Sequence, residues 1–241
     1  MMKTKVKLLL LISVMAGAGM STGCGKVASK IGHEVEKNVN ETAGVANSVS
    51  GASTYKWTLA DGPAACLGAY QKKIGQDFNI LDFSTYYVKP ETIDASDARN
   101  YKGTKGGEMK TCDLKIQDPA DPKKAVGYRM DMKTGEISGP MPVEITVSGN
   151  AEAFKLSEVV YPVKDIDYAA IQKNIDSIKP KLDEKYGVYQ VTGIRMDSDL
   201  RTGKPHLLVH IDGKLKANDV AKNVLLHLTP DGKKITMNSM N

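Results

Sequence analysis

Residues 167–182 read DYAAIQKNIDSIKPKL, and this stretch decides the fold class. Tyr168, Ile171, Ile175, Ile178 and Leu182 step by 3, 4, 3 and 4, so they share one face of an amphipathic helix. Pro180 falls inside the pattern and predicts a kink or a fresh helical turn. Gly187 predicts the helix C-terminus. Strands are expected next at 188–196, 206–211, 224–228 and 235–237. Pro230-Asp231-Gly232-Lys233 supplies a turn with a mechanism, since Pro presets φ and Gly accepts φ > 0.

The same order precedes it. The folded part is expected to start near Tyr55-Lys56-Trp57. Asp61-Gly62-Pro63 reads as a helix start, with Asp at the N-cap and Pro in the first turn. Cys66, Leu67, Tyr70 and Ile74 share a face, and Gly75 lies at the helix end. Residues 78–88 are rich in β-formers, and 89–107 read mainly as loop. Strands are expected at 109–116, 126–132 and 143–147, with a turn at Lys133-Thr134-Gly135-Glu136 leading to a short strand near Ile137.

The fold class is therefore α+β: two helix-plus-antiparallel-sheet units, 54–150 and 151–241, in tandem or fused into one domain. Residues 128–137 (YRMDMKTGEI) and 226–235 (LHLTPDGKKI) are alike. Such strand–turn–strand phrases resemble those of PepSY-like and cystatin-like helix-on-sheet modules. The resemblance implies an architecture and carries no functional residue with it.

The N-terminus speaks to location. Lys3, Lys5 and Lys7 precede an apolar run from Leu8 to Met15, and small residues follow. This is the layout of an export signal. The run is shorter than the roughly 20 residues that a spanning helix needs. Ser21-Thr22-Gly23-Cys24 resembles the lipobox of bacterial lipoproteins, although Ser21 stands where a branched aliphatic residue is usual. The resemblance implies removal of a 1–23 signal peptide and a lipid such as palmitate on Cys24. Gly25 in place of Asp implies outer-membrane sorting in a diderm host. Ordinary cleavage after Ala16-Gly17-Ala18 is the alternative, and it would leave Cys24 a free thiol. Residues 24–53 read as a lipidated N-terminus and polar tether. Within it Val27, Ile31, Val35 and Val39 recur every fourth residue, so an amphipathic segment is the rival reading.

The three cysteines fit that picture. With Cys24 lipidated, Cys66 and Cys112 remain as a disulfide pair for an oxidising compartment. Two buried thiols are the alternative. No Cys-x-x-Cys redox motif occurs. The formal charge of +5 falls to +2 once Lys3, Lys5 and Lys7 leave, because residues 1–23 hold no acid. With no dense Lys/Arg cluster among aromatics, no nucleic-acid partner is expected. Only three Phe and one Trp are present, so the core must rest on Val, Ile, Leu, Met and Tyr.

Candidate chemistry is sparse. On a strand His206 and His210 face the same way, and His227 on the next strand could sit across from them. Such a trio could bind zinc or copper, although no tight ligand motif supports it. His33-Glu34-Val35-Glu36-Lys37 lacks the second His of a zincin helix. Asp197–Gly203 has Arg201 at a ligand position of a calcium loop and reads as a turn. Gly103–Gly107 lacks the Gly-Lys-Ser/Thr ending of a phosphate loop, and no G-x-S-x-G elbow occurs. Tyr86-Tyr87 and Tyr186–Tyr189 are aromatic candidates for an interface or for the core. The expectation is a non-enzymatic, membrane-anchored envelope lipoprotein, without cofactor, that meets a protein partner in the envelope. Alternatives are an inhibitor or chaperone-like module for an exported enzyme, and a metal-binding protein using His206, His210 and His227.

Overall fold

The computed structural model describes residues 10–11, 55–101, 105–147, 150–198 and 203–240. Cys24, His33 and the tether expected at 24–53 lie outside them. The strands of the main sheet are β1 (Asn79–Tyr87), β2 (Met109–Gln117), β3 (Ala125–Met130), β4 (Ile137–Val143), β5 (Tyr161–Pro162), β6 (Tyr186–Ser198), β7 (Pro205–Leu215), β8 (Ala221–Leu228) and β9 (Ile235–Asn238). The helices are α1 (Gly62–Ile74), α2 (Ala95–Asn100) and α3 (Tyr168–Lys185). Leu10–Leu11 also forms a two-residue ladder with Thr146–Val147.

The main sheet is antiparallel, in the order β9-β8-β7-β6-β1-β2-β3-β4, with β5 paired to the start of β1. The chain is thus mixed α+β and mostly sheet. The central junction is a four-residue ladder between β1 and β6, from Phe83↔Met196 to Tyr86↔Gly193. Thr85 Oγ1 donates to the Ile194 carbonyl at 3.0 Å beside it, and Gln190 Nε2 donates to the Val88 carbonyl at 3.0 Å.

Alternation along the strands decides what is buried. Phe83, Leu114, Ile116, Ile194, Met196, Val209, Ile211, Val224 and Leu226 all point to one face and join one core cluster with both long helices. Helix α1 contributes Cys66, Leu67 and Tyr70, and α3 contributes Ile171, Ile175, Ile178 and Leu182. Each such side chain, taken from water to core, stabilises the fold by about 1.5–3 kcal/mol. Cys66 is bonded to Cys112, tying α1 to β2 as the cysteine count predicted. Tyr70 Oη adds a second tie by donating to the Cys112 carbonyl at 2.7 Å.

The structure departs from the sequence reading at four places. Asp61 precedes α1 but does not cap it, because its carboxylate accepts from Thr58 N at 2.7 Å and Thr58 Oγ1 at 3.0 Å. The expected loop 89–107 contains α2, whose N-cap Asp94 accepts from Ser96 N and Asp97 N. The short strand expected near Ile137 is longer, running to Val143 as β4 with Pro140 and Pro142 inside it, and the strand expected at 143–147 is reduced to Thr146–Val147 beyond it. An edge position tolerates prolines that an inner strand would reject. Gly187 does not end α3. The chain passes into extended backbone at Tyr186, and Gly187 belongs to β6. Helix α3 meanwhile runs through Pro180, which sits on its exposed side.

Candidate functional site on the helix-free face

Both long helices cover one face of the sheet. The other face carries the side chains of opposite parity. Cross-strand register aligns eight of them in one row: Ser138, Arg129, Asp113, Ser84, Arg195, Leu208, His227 and Met237, one from each strand from β4 to β9 in sheet order. A neighbouring row runs Thr111, Tyr86, Gly193, His210 and Leu225. One end of this face is closed by a small apolar cluster in which Leu156 and Val159 pack on Leu81 and Ala125. Near the other end stands Lys89, whose Nζ is 3.0 Å from Asp212 and whose N–H donates to Asp97 at the start of α2.

Opposite charges alternate along the rows. Lys115 Nζ lies 2.9 Å from Asp82, Arg129 Nε 3.5 Å from Asp113, and Arg195 Nη2 3.1 Å from Asp197. Thr192 Oγ1 donates to Asp212 at 2.8 Å. Burial pushes the Asp113 carboxyl above its ordinary range, with Arg129 opposing. The mix is near balance, each of Lys89, Lys115, Arg129 and Arg195 standing beside an aspartate.

Around Leu208 the face is richer in rings. Leu208 is only 4% exposed although neither long helix of the described residues covers it. Its neighbours on this face are Arg195 and His227 across the ladders, and His206 and His210 along its own strand. The rings of His206 and His227 stack with centroids 4.9 Å apart. His210 lies 6.3 Å from Tyr86, whose ring crosses Gly193 so closely that a Cβ there would sit 2.7 Å from it. Burial, helped by Arg195, pulls His210 below the ordinary histidine range, so it is neutral at pH 7.

Two buried polar atoms here, Arg195 Nε and His210 Nε2, lack a hydrogen bond. A polar atom left this way costs about 1–3 kcal/mol.

The face thus brings together His206, His210 and His227, as their strand spacing predicted. It does not make them a ligand set, and among the described residues no three His, Cys, Asp or Glu side chains are placed to hold a metal ion. Tyr86 belongs to the face. Tyr87 and Tyr186 are buried in the core, and Tyr189 donates to Asp183 at 2.6 Å. Ser84, Asp113 and Arg195 were not singled out from sequence. Strand alternation could have placed each on a polar face, but only the register sets them in one row. A further depression of about 680 Å³ lies beside the start of α3 between Tyr161, Lys164, Asp167 and Lys233. No protein-family model, curated protein or solved structure matches the chain.

Proposed function

We propose that this chain is an exported envelope lipoprotein with a non-enzymatic binding role. A lipid on Cys24 holds it to a membrane, residues 24–53 space the body from the bilayer, and the helix-free face meets another molecule. The body consists of two helix-plus-sheet units, 54–150 and 151–241, fused through the β1–β6 ladder. The observation that carries the binding reading is the eight-strand row, an open face with Tyr86 and Arg195 at its middle. Tyr and Arg are the residue types that dominate binding hot spots. The Cys66–Cys112 bond supports an oxidising compartment. No described helix is long and apolar enough to cross a membrane, which is compatible with a lipid anchor. Inhibition or escort of an exported enzyme would use the same face.

The anchor is tested by replacing Cys24 with Ala in the full-length protein. The expected result is loss of palmitate incorporation, with release from the membrane fraction or accumulation of uncut precursor. Unchanged membrane retention refutes the anchor.

A further inference from the structure

We propose that the β6–β8 part of the helix-free face docks a protein partner through one of that partner's carboxylates, seated between Arg195 and His210. This rests on the binding role above and names the chemistry of what is bound. Arg195 lies on β6 next to the middle of the sheet, and its side chain is 35% exposed. Asp197 occupies Nη2, whereas the buried Nε donor has no hydrogen bond. A partly exposed guanidinium with an unused N–H can donate to a carboxylate, and charge-assisted bonds of this kind are the strong ones.

His210 stands on the diagonal from Arg195, because Arg195 pairs with Leu208 and Gly193 pairs with His210. Long side chains reach each other across that diagonal. Its Nε2 is buried without a hydrogen bond, and a neutral imidazole protonated there is a second donor. The acids nearby are already engaged: Asp212 is held by Lys89 and Thr192, and Asp197 by Arg195 itself. The unused capacity at Arg195 and His210 is therefore donor capacity, and an acidic side chain complements it.

The surroundings suit a protein rather than a free anion. Tyr86, Leu208, Leu225 and Met237 give the site apolar neighbours, and Met237 is 45% exposed. A desolvated charged contact ringed by apolar area is the anatomy of an interface hot spot. Strand addition at the sheet edges is the less suitable mode. Strand β4 carries Pro140 and Pro142, and β9 is four residues long.

The test places a photo-crosslinking residue at Leu225 of the full-length protein in its host, with the outer α3 position Lys173 as control. The expected result is an adduct from Leu225 alone, to a separate protein, through a segment containing Asp or Glu. Arg195→Gln should reduce the adduct about tenfold, the loss of a modest hot spot, and Arg195→Lys should retain part of it. His210→Gln removes the second donor without touching the guanidinium and should lower the yield several-fold. Amidation of the partner's acid (Asp→Asn or Glu→Gln) should cost as much as Arg195→Gln and add nothing in that background. The proposal falls if Leu225 gives no adduct, if Lys173 gives as much, or if the adduct is lipid or a second copy of this chain. It also falls if the contact segment holds no acid. Membrane retention is read in the same cells. Retained protein without an adduct removes the docking site and leaves the anchor, and released protein with an adduct does the reverse.

Discussion

His210 sits half-buried between Tyr86 and Gly193 on one side and Leu225 on the other. The charged groups that face it are Arg195, Asp212, His227 and Asp197. Burial disfavours its cation most, Arg195 and His227 add to that, and the two aspartates oppose it. Its pKa in the folded state is therefore below the unfolded value of 6.5. Well above pH 6.5 the imidazole is neutral in both states and costs nothing. As the pH falls through the unfolded value, the unfolded chain binds the proton first, so stability drops until the folded value is reached. Denaturant midpoints measured between about pH 7.5 and 5.5 should fall more steeply for the native protein than for His210→Gln. Parallel curves would show that the imidazole is not held neutral. The strand spacing of His206 and His210 told which way they point. The depressed titration depends first on burial and then on Arg195, which is adjacent only through the β6–β7 register and was not visible in the chain order.

Helix α1 shows which parts of an element are legible. The apolar spacing of Cys66, Leu67 and Tyr70 correctly gave its buried face, because burial of that face is what holds the helix. Its cap was misread because Thr58 competes for the Asp61 carboxylate. Helix α2 went unseen because it is six residues long and has no apolar stripe to read. The pairing of Cys66 with Cys112 was legible by counting, since the expected lipid on Cys24 would leave two thiols over. Its mechanical effect was not. The bond joins α1 to β2 at a Cα separation of 6.0 Å, with both residues fully buried. Closing a span of 46 residues stabilises the fold by about 4 kcal/mol on the chain-entropy account. The Cys66→Ala, Cys112→Ala double variant should lose stability on that scale in denaturant titrations. In the native protein the bond should resist a mild reductant until the chain is unfolded. Equal midpoints for the two proteins would remove the disulfide from the list of what holds α1 in place.

At the scale of the whole molecule, the repeated order of helix then strands was legible, and its closure into one sheet was not. Sequence periodicity describes each element in isolation, whereas the meeting of Phe83–Tyr86 with Gly193–Met196 joins residues more than 100 positions apart. That junction decides how the two halves share their stability. Four paired residues are a short ladder, but the core beneath them is continuous. Phe83 and Leu114 from the first half, Ile194 and Met196 from the second, and both long helices belong to one cluster. Separating the halves would expose that apolar interior at about 25 cal/mol for each Å². It would also strand the Thr85 and Gln190 side chains, whose acceptors lie across the junction. Neither half is therefore expected to persist once the other melts. Calorimetry of the full chain should give one transition with equal calorimetric and van't Hoff enthalpies. Residues 54–150 expressed alone should lack cooperative unfolding. Two resolved transitions, or a folded 54–150 fragment, would show instead that the halves are independent units merely laid edge to edge.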